Sequence, residues 1–311
     1  MHNKLYNIIS NFTSSYWGKK IYYCISNIIF YIIPDKLFVK ILYRLRMGRK
    51  VNLDNPRYFT EKINWLRIND RRPIKTKLAD KYQVRDYVAN KVGKEVLIPL
   101  IGVYNSFNDI DFDTLPSKFV LKTNHSSGWN MVCVDKDKFD IKSAKKLFSM
   151  WFKTNYYQIN RAWEYKDIKP KIICEQYISS SENRGLDDYK FHCFVGEPKY
   201  IQHITGRECN QTKHKFYDLN WQPQEFTFTN PLYDGIDERP NNFEKMLEIV
   251  RQLSKDWPYV RIDLYNVAGN IYFGEVTFHP VNGMDQFKPE SENKVWGDLL
   301  SLDSLKNKVS E

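Results

Sequence analysis

Arg261-Ile262-Asp263 and Glu275-Val276-Thr277 are short patterns that place basic, acidic and hydroxyl groups two residues apart. On a strand, residues two apart share a face, so each pattern can present its polar members together. The surrounding segment, Tyr259–Gly283, reads as two strands around a turn at Asn266–Asn270, with β-branched and aromatic residues on both sides of an Asn/Gly cluster. Val260, Ile262 and Leu264 then face one way and Arg261 and Asp263 the other, while Glu275, Thr277 and His279 share a face of the second strand. With the turn centred near Ala268, Arg261 sits opposite Glu275 and Asp263 lies on the diagonal, about 7–8 Å away at Cα. Two carboxylates so placed can converge on one cation. The same residues can also form a plain surface hairpin with an Arg–Glu pair of little energetic consequence.

A second set lies in Phe119–Asp135. Lys122 ends an apolar strand, and His125-Ser126-Ser127-Gly128 forms the loop before the next strand at Met131. Amides and hydroxyls of such a loop can wrap phosphate oxygens while the ammonium supplies a point charge. An ordinary hairpin turn has the same composition, and the Walker pattern is absent. Glu175-Gln176-Tyr177-Ile178 closes a buried strand before a loop; its main chain could meet an adenine edge, with Tyr177 and Ile178 against the ring. Asp188, Lys190 and His192 alternate onto one face of the strand that comes next.

The elements that must hold these groups are set by periodicity. Ile21–Ile33 is apolar, interrupted by Ser26 and Asn27 and closed by Pro34, too short to span a bilayer. Asp35–Lys50 predicts a basic amphipathic helix ending near Gly48; it is expected to pack on the main body, with docking to an anionic membrane surface as the second reading. Helices are predicted within 54–70, over Thr76–Lys91, over Ser143–Tyr157 and over Asn242–Lys255. Strands are predicted within Glu95–Tyr104, Lys171–Ile178, Tyr189–Val195 and Lys199–Ile204.

Composition bounds the partners. The 311 residues leave room for two domains, and 47 basic against 37 acidic side chains give a net charge of +10. That charge suits an anionic partner such as a nucleotide, phospholipid or acidic polysaccharide. No RNA-recognition, zinc-finger or basic-helix pattern points to nucleic acid. The five cysteines are widely spaced with no CxxC, and Cys133, Cys174 and Cys193 fall in apolar runs. This argues for a reducing compartment rather than a disulfide or zinc framework. With no signal-peptide pattern, the expected location is cytoplasmic, with the inner face of the membrane as the second reading.

Taken in chain order, Lys81, the Lys122 strand and loop, the Glu175 segment, the Asp188/Lys190 strand and the final Arg-x-Asp with Glu-x-Thr form an ordered set. The stretches that carry it are NPRYFTEKINWL, LADKYQVRDYV, IPLIGVY, LPSKFVLKTNHSSGWN, DYKFHCFVGEPKYI and VRIDLYN…IYFGEVTFHPVNG, spanning about residues 50–285. The set resembles the ATP-grasp superfamily and, more narrowly, the TupA-like (teichuronopeptide biosynthesis) ATP-grasp family of surface-polysaccharide clusters. The resemblance implies an α+β fold in which two α+β subdomains grip ATP: a helical N-terminal region over 1–75, then an ATP-grasp domain over 76–311 with a lid at about 116–174 and a metal-bearing core at about 175–290.

It further implies an ATP-dependent carboxylate–amine ligase with ATP and Mg2+ as cofactors. The phosphates would be held by Lys81, Lys122, His125, Ser126, Ser127 and Gly128. Adenine would be read by Glu175, Gln176, Tyr177 and Ile178, and the ribose by Asp188. Asp263 and Glu275 match the magnesium carboxylates, and Thr277 stands where the superfamily usually has Asn. Arg261 matches the arginine that steadies the transferring phosphoryl group, with Lys190, Arg207 or Lys215 completing the shell. Implied partners are a uronic acid acceptor, free or lipid-linked, and an amine donor. Two carboxylates side by side repel, so Asp263→Asn or Glu275→Gln should abolish ATP turnover yet change stability by no more than about 1–2 kcal/mol, or raise it. Two rival readings stand beside this one. The first is a glycosyltransferase using Asp109-Ile110-Asp111 as a DxD metal site, although Asx capping explains that triplet equally. The second is a basic protein that binds nucleic acid or a membrane surface.

Overall fold

The strands alternate as the sequence requires, and their buried sides define two cores. The computed structural model describes residues 12–179, 186–206, 212–228, 232–303 and 305. Cys209, Arg207 and most of the loop expected at Ser179–Gly185 lie outside them. The chain divides into two units: 1–51, 71–82 and 99–177 form the first, and 52–70, 83–98 and 178–311 the second. The segment 52–70, grouped by sequence with the N-terminal helices, packs instead within the second unit.

In the first unit, strands β1 (Leu100–Tyr104), β2 (Phe119–Thr123), β3 (Asn130–Cys133) and β4 (Ile172–Gln176) form an antiparallel sheet in the order β1-β4-β2-β3. Phe119 and Leu121 of β2 and Ile172 and Cys174 of β4 point to one face, where they pack on Ala144, Phe148 and Trp151 of the helix Ile141–Phe152. The period of two leaves Lys122 and Glu175 on the other face. The predicted Ser143–Tyr157 helix is two helices, the second being Tyr156–Asn160 with Asn155 accepting at its N-cap. Helices Tyr16–Ile32 and Asp35–Met47 join this unit by their inner sides. The buried Arg161 guanidinium lies over the rings of Phe30 and Phe38, 4.4 and 4.6 Å from their centroids. Asp35 accepts from Tyr157 and, at 3.1 Å, from Arg71.

The expected Thr76–Lys91 helix is also broken, into Ile74–Ala79 and Val84–Val92. At Asp80 the backbone turns extended (φ −72°, ψ 111°), and the Asp80 carboxylate accepts from the amide of Tyr82. An Asp that bonds its own backbone two residues on offers the chain a turn in place of the helix. The break sets the Lys81 amide 3.1 Å from the carbonyl of Asn124, beside the loop after β2.

In the second unit, β5 (Asp188–Phe194), β6 (Glu197–Thr205), β7 (Lys213–Tyr217), β9 (Tyr259–Val267) and β10 (Asn270–Thr277) make an antiparallel sheet ordered β10-β9-β5-β6-β7. Short strands β8 (Thr227–Phe228) and β11 (Phe287–Lys288) pair separately. One face carries Phe191, Ile201, Val260, Ile262 and Leu264, all fully buried, and packs on the amphipathic helix Phe243–Ser254. Part of the other face is covered by an aromatic cluster: Trp296 of the helix Ser291–Leu299 stacks on Tyr200 at 4.8 Å and meets His192, also at 4.8 Å. Phe59, opening the helix Phe59–Asn69, packs edge-on to Trp296 and Tyr259. The Glu61 carboxylate of that helix accepts from the amides of Asn52, Arg57 and Tyr58 at 3.1, 3.0 and 3.2 Å, which fixes its first turn.

Candidate active site

The hairpin β9–β10 places its polar groups by a register that differs from expectation. Its turn is Ala268-Gly269, both with positive φ (50° and 81°), so Val267 pairs with Asn270. A β-bulge then falls between Phe273 and Glu275, making Gly274 the extra residue. Asp263 therefore lies directly opposite Glu275, and Arg261 opposite Thr277; the sequence had set Arg261 against Glu275. Without the bulge, Gly274 would face Asp263 and Glu275 would turn to the apolar side. The buried residues record the switch: Ile271 and Phe273 are odd-numbered, and Val276 is even. Glycine suits the bulge, because a Cβ there would crowd the carbonyl oxygen of Asp263 at 3.0 Å. An isolated glycine inside an alternating strand is a sequence signal for a bulge, and it was available at Gly274.

On the face beside the aromatic cluster, β5, β9 and β10 bring five charged side chains into one row. Arg261 forks onto Asp263, with Nε 2.7 Å from Oδ1 and Nη2 2.8 Å from Oδ2. Its Nη2 also donates to Glu275 Oε1 at 3.0 Å and to Thr277 Oγ1 at 3.1 Å. The Thr277 hydroxyl donates to the same Glu275 oxygen at 3.0 Å. Lys190, paired in register with Asp263, ion-pairs with Asp263 Oδ2 and, at 2.9 Å, with Asp188. Burial alone would raise the Asp263 pKa, but Arg261 and Lys190 outweigh it and hold the carboxyl below its ordinary range. Burial opposes the charge on Arg261, yet Asp263 and Glu275 raise its pKa. His192, next on the same face, is pushed well below its usual pKa by burial and by Arg261, and its Nδ1 lies 2.8 Å from the Tyr259 hydroxyl. It is a neutral end to the row. Gln202, buried on β6 and paired with Lys190, borders the site and was missed from sequence because no pattern marks it.

Of the three cations named for the shell, Lys190 is in the row and Arg207 lies outside the described residues. Lys215 is on the opposite face, since it pairs with His203 and so aligns with Tyr189 and Leu264. Its ammonium donates to the Tyr233 carbonyl at 3.0 Å. The one-residue alternation of β7 decides this.

In the first unit, Lys122 donates to Glu175 at 2.6 Å across β2 and β4. Lys81 donates to the carbonyl of Ser126. The His125 ring is turned into the core, with Nε2 3.2 Å from the Trp151 carbonyl; burial lowers its pKa to about 4. The Ser126 hydroxyl is buried 2.6 Å from that of Thr123, which leaves Ser127 and Gly128 as the exposed part of the loop. Gln176 is exposed, while Tyr177 and Ile178 are half-buried, and the boundary between the two units falls between these last two. Asp109 and Asp111 are taken up locally: Asp109 accepts from the amide and hydroxyl of Ser106 at 2.9 Å each, and Asp111 from the amide of Asp113 at 3.1 Å. Capping therefore explains the DxD triplet.

The donors in the hairpin row suit a hard cation. Among the described residues no cluster of three or more His, Cys, Asp or Glu side chains could hold a metal, so the chain offers two carboxylates and a hydroxyl. Magnesium fits such a set because it keeps waters and takes further oxygens from substrate phosphates. Asp263 Oδ1 accepts one hydrogen bond here and has a second lone pair. Glu275 is the more open of the two acids, with 30% of its side chain exposed.

Two mixed helix-and-sheet units, one bearing Lys81 and Lys122 near a small-residue loop and the other a cross-strand acidic pair, are what an ATP-grasp protein is expected to show. The chain belongs to the TupA-like ATPgrasp family, whose model matches residues 61–301. No curated protein matches it. Similar solved structures include D-alanine–D-alanine ligase from Bacillus anthracis complexed with ATP, with 16% identity and a TM-score of 0.42 over 75% of this chain and 66% of that one. N5-carboxyaminoimidazole synthetase from Staphylococcus aureus complexed with ADP has 14% identity and a TM-score of 0.40, over 66% and 46% of the two chains. L-amino acid ligase from Bacillus licheniformis has 14% identity and a TM-score of 0.36, over 63% and 42%. The chain thus spans 66% of the first and less than half of the other two.

Proposed function

We propose that the protein is an ADP-forming carboxylate–amine ligase that joins an amino acid or other amine to a uronic acid of a bacterial surface polysaccharide or its precursor. The observation that carries this is the Arg261–Asp263–Glu275–Thr277–Lys190 row in a chain of the TupA-like ATP-grasp family. Asp263 and Glu275, with Thr277 as a third oxygen, are the residues that would hold Mg2+, which when bound supplies positive charge beside the triphosphate. In this reading Lys81, Lys122 and the exposed Ser127-Gly128 turn bind phosphate oxygens, and Glu175–Ile178 binds adenine. Asp188 is assigned to the ribose.

The chemistry stems from the poverty of a carboxylate as an acyl donor. A carboxylate oxygen of the acceptor attacks the γ-phosphorus, the bond to the β–γ bridging oxygen breaks and ADP departs, leaving an acyl phosphate. The amine nitrogen then adds to the acyl carbon, the bond to phosphate breaks, and loss of the amine proton gives the amide. Arg261 and Lys190 are cations held in fixed positions, and pre-set charge of that kind favours a transition state whose negative charge is spread over phosphoryl oxygens.

The test is incubation with ATP, Mg2+ and a panel of uronic acids and amino acids, reading ADP and phosphate release and the mass of the product. Release that requires both a carboxylate and an amine, in equal amounts with amide, is expected. Appreciable affinity for a UDP-sugar, with none for ATP, would sink the reading.

A further inference from the structure

We propose that the outer faces of the two N-terminal helices dock this protein on an anionic phospholipid bilayer surface, an inference independent of the ligase reading. On the helix Tyr16–Ile32, Trp17, Ile21, Ile25, Ile28, Tyr31 and Ile32 are all exposed. At 100° per residue they fall within an arc of about 120°. Trp17 and Tyr31, near the two ends of the helix, keep 66% and 76% of their surface in solvent. On the helix Asp35–Met47, Leu37, Ile41 and Leu45 repeat every fourth residue and are also exposed. Such stripes are ordinary on the inner side of a helix; here the inner side is already used, through Ser26, Val39, Tyr43 and the Arg161 cluster. A protein surface rarely carries so many large apolar side chains together without an occupant.

Charge selects the occupant. Residues 12–50 hold eight lysines and arginines and one acid, Asp35, which is already bonded to Arg71 and Tyr157. Lys40 and Arg44 are exposed and border the Leu37–Leu45 stripe, and exposed Lys20 borders the other. A cavity of about 270 Å³ adjoins the Tyr16–Ile32 stripe with Lys20 and Lys153 in its lining. An apolar stripe with tryptophan and tyrosine at its ends and a basic rim matches the headgroup–acyl boundary of an anionic leaflet. Among the described residues no helix is long and apolar enough to cross a membrane, so these helices would lie in the interface.

The experiment is co-sedimentation of the full chain with vesicles of phosphatidylcholine alone or mixed with phosphatidylglycerol, alongside sedimentation velocity without lipid. Binding confined to the anionic vesicles and falling with salt is expected. Lys40→Glu with Arg44→Glu should weaken it at least tenfold. Ile21→Ser with Ile25→Ser and Ile41→Ser should abolish it, while the melting temperature and ATP turnover stay at wild-type values. Failure to bind either vesicle overturns the proposal, as does equal binding to neutral vesicles. A dimer in the absence of lipid that the serine variant dissociates assigns the face to a second copy and overturns it as well.

Discussion

Asp263 is almost wholly buried and accepts from two cations at once, which reverses what its neutralisation should do. The sequence suggested carboxylate repulsion and a tolerant site. Instead Asp263→Asn leaves Arg261 and Lys190 without their shared counter-charge, and breaking a buried pair costs about 3–5 kcal/mol. Urea unfolding of Asp263→Asn should show a loss of that size, together with loss of ATP turnover. Glu275 is more exposed and holds only one arm of Arg261. Glu275→Gln should therefore cost under about 1 kcal/mol and still lose turnover; retained turnover in that variant would remove Glu275 from the metal set. The identities of these residues were legible because a spacing of two on a strand is enough to group them. Their mutual neutralisation was not, since it depends on which strand, β5, lies beside β9.

His203 offers a second test at this scale. Burial would lower its pKa, but the carboxylates of Asp187 and Asp237 outweigh burial and raise it from 6.5 to about 9. Its stabilisation is complete below pH 6.5 and is lost as the pH rises through about 9, a change on the order of 3 kcal/mol. Asp237, its pKa lowered by His203 against the effect of burial, contributes in the opposite sense and loses its share in acid. Melting temperature should thus fall on the alkaline side, and His203→Gln should flatten that limb.

At the scale of elements, the hairpin keeps its polar groups on one face because its extra residue, Gly274, is bulged out of the ladder. Inserting one residue between Gly274 and Glu275 would shift the rest of β10 by one, turn Glu275 toward the apolar face and lose the Asp263–Glu275 pairing, whereas deleting Gly274 would leave that pairing in place. Such an insertion should abolish turnover and cost more than about 3 kcal/mol by exchanging a charge for Val276 in the core. Gly274→Ala, crowding the Asp263 carbonyl, should cost about 1–3 kcal/mol. Denaturant midpoints of the two variants would rank them, and an unimpaired insertion would contradict this register. Element types read well from sequence where periodicity was strong, as in Phe243–Ser254 and the β5–β6 pair. Breaks read poorly: Asp80 and Lys153–Asn155 interrupt runs whose composition favours a helix, because the alternatives are single side-chain-to-backbone bonds.

Across the whole molecule, the acids assigned to magnesium are already balanced by arginine and lysine, so folding does not wait for the ion. Chelation with EDTA should stop ATP turnover and leave the melting temperature unchanged; a fall of several degrees would mean that the metal is structural. The grouping of distant segments was the least legible feature, since apolar faces record that a helix is buried and not what buries it. The helix Phe59–Asn69 has its partners far along the chain. Asn64 donates to the carbonyl of Gly283 at 2.8 Å and Arg67 to that of Asn282 at 3.1 Å, gripping a stretch in which Val281, Asn282 and Gly283 all have positive φ. Thr60 and Lys62 bind Asn293 and the carbonyls of Gly297 and Leu300. A truncated polypeptide starting at residue 76 would keep every residue proposed for catalysis and still discard the clasp that shapes the segment after Thr277. Anyone trimming the gene to its enzymatic part should therefore cut before residue 52.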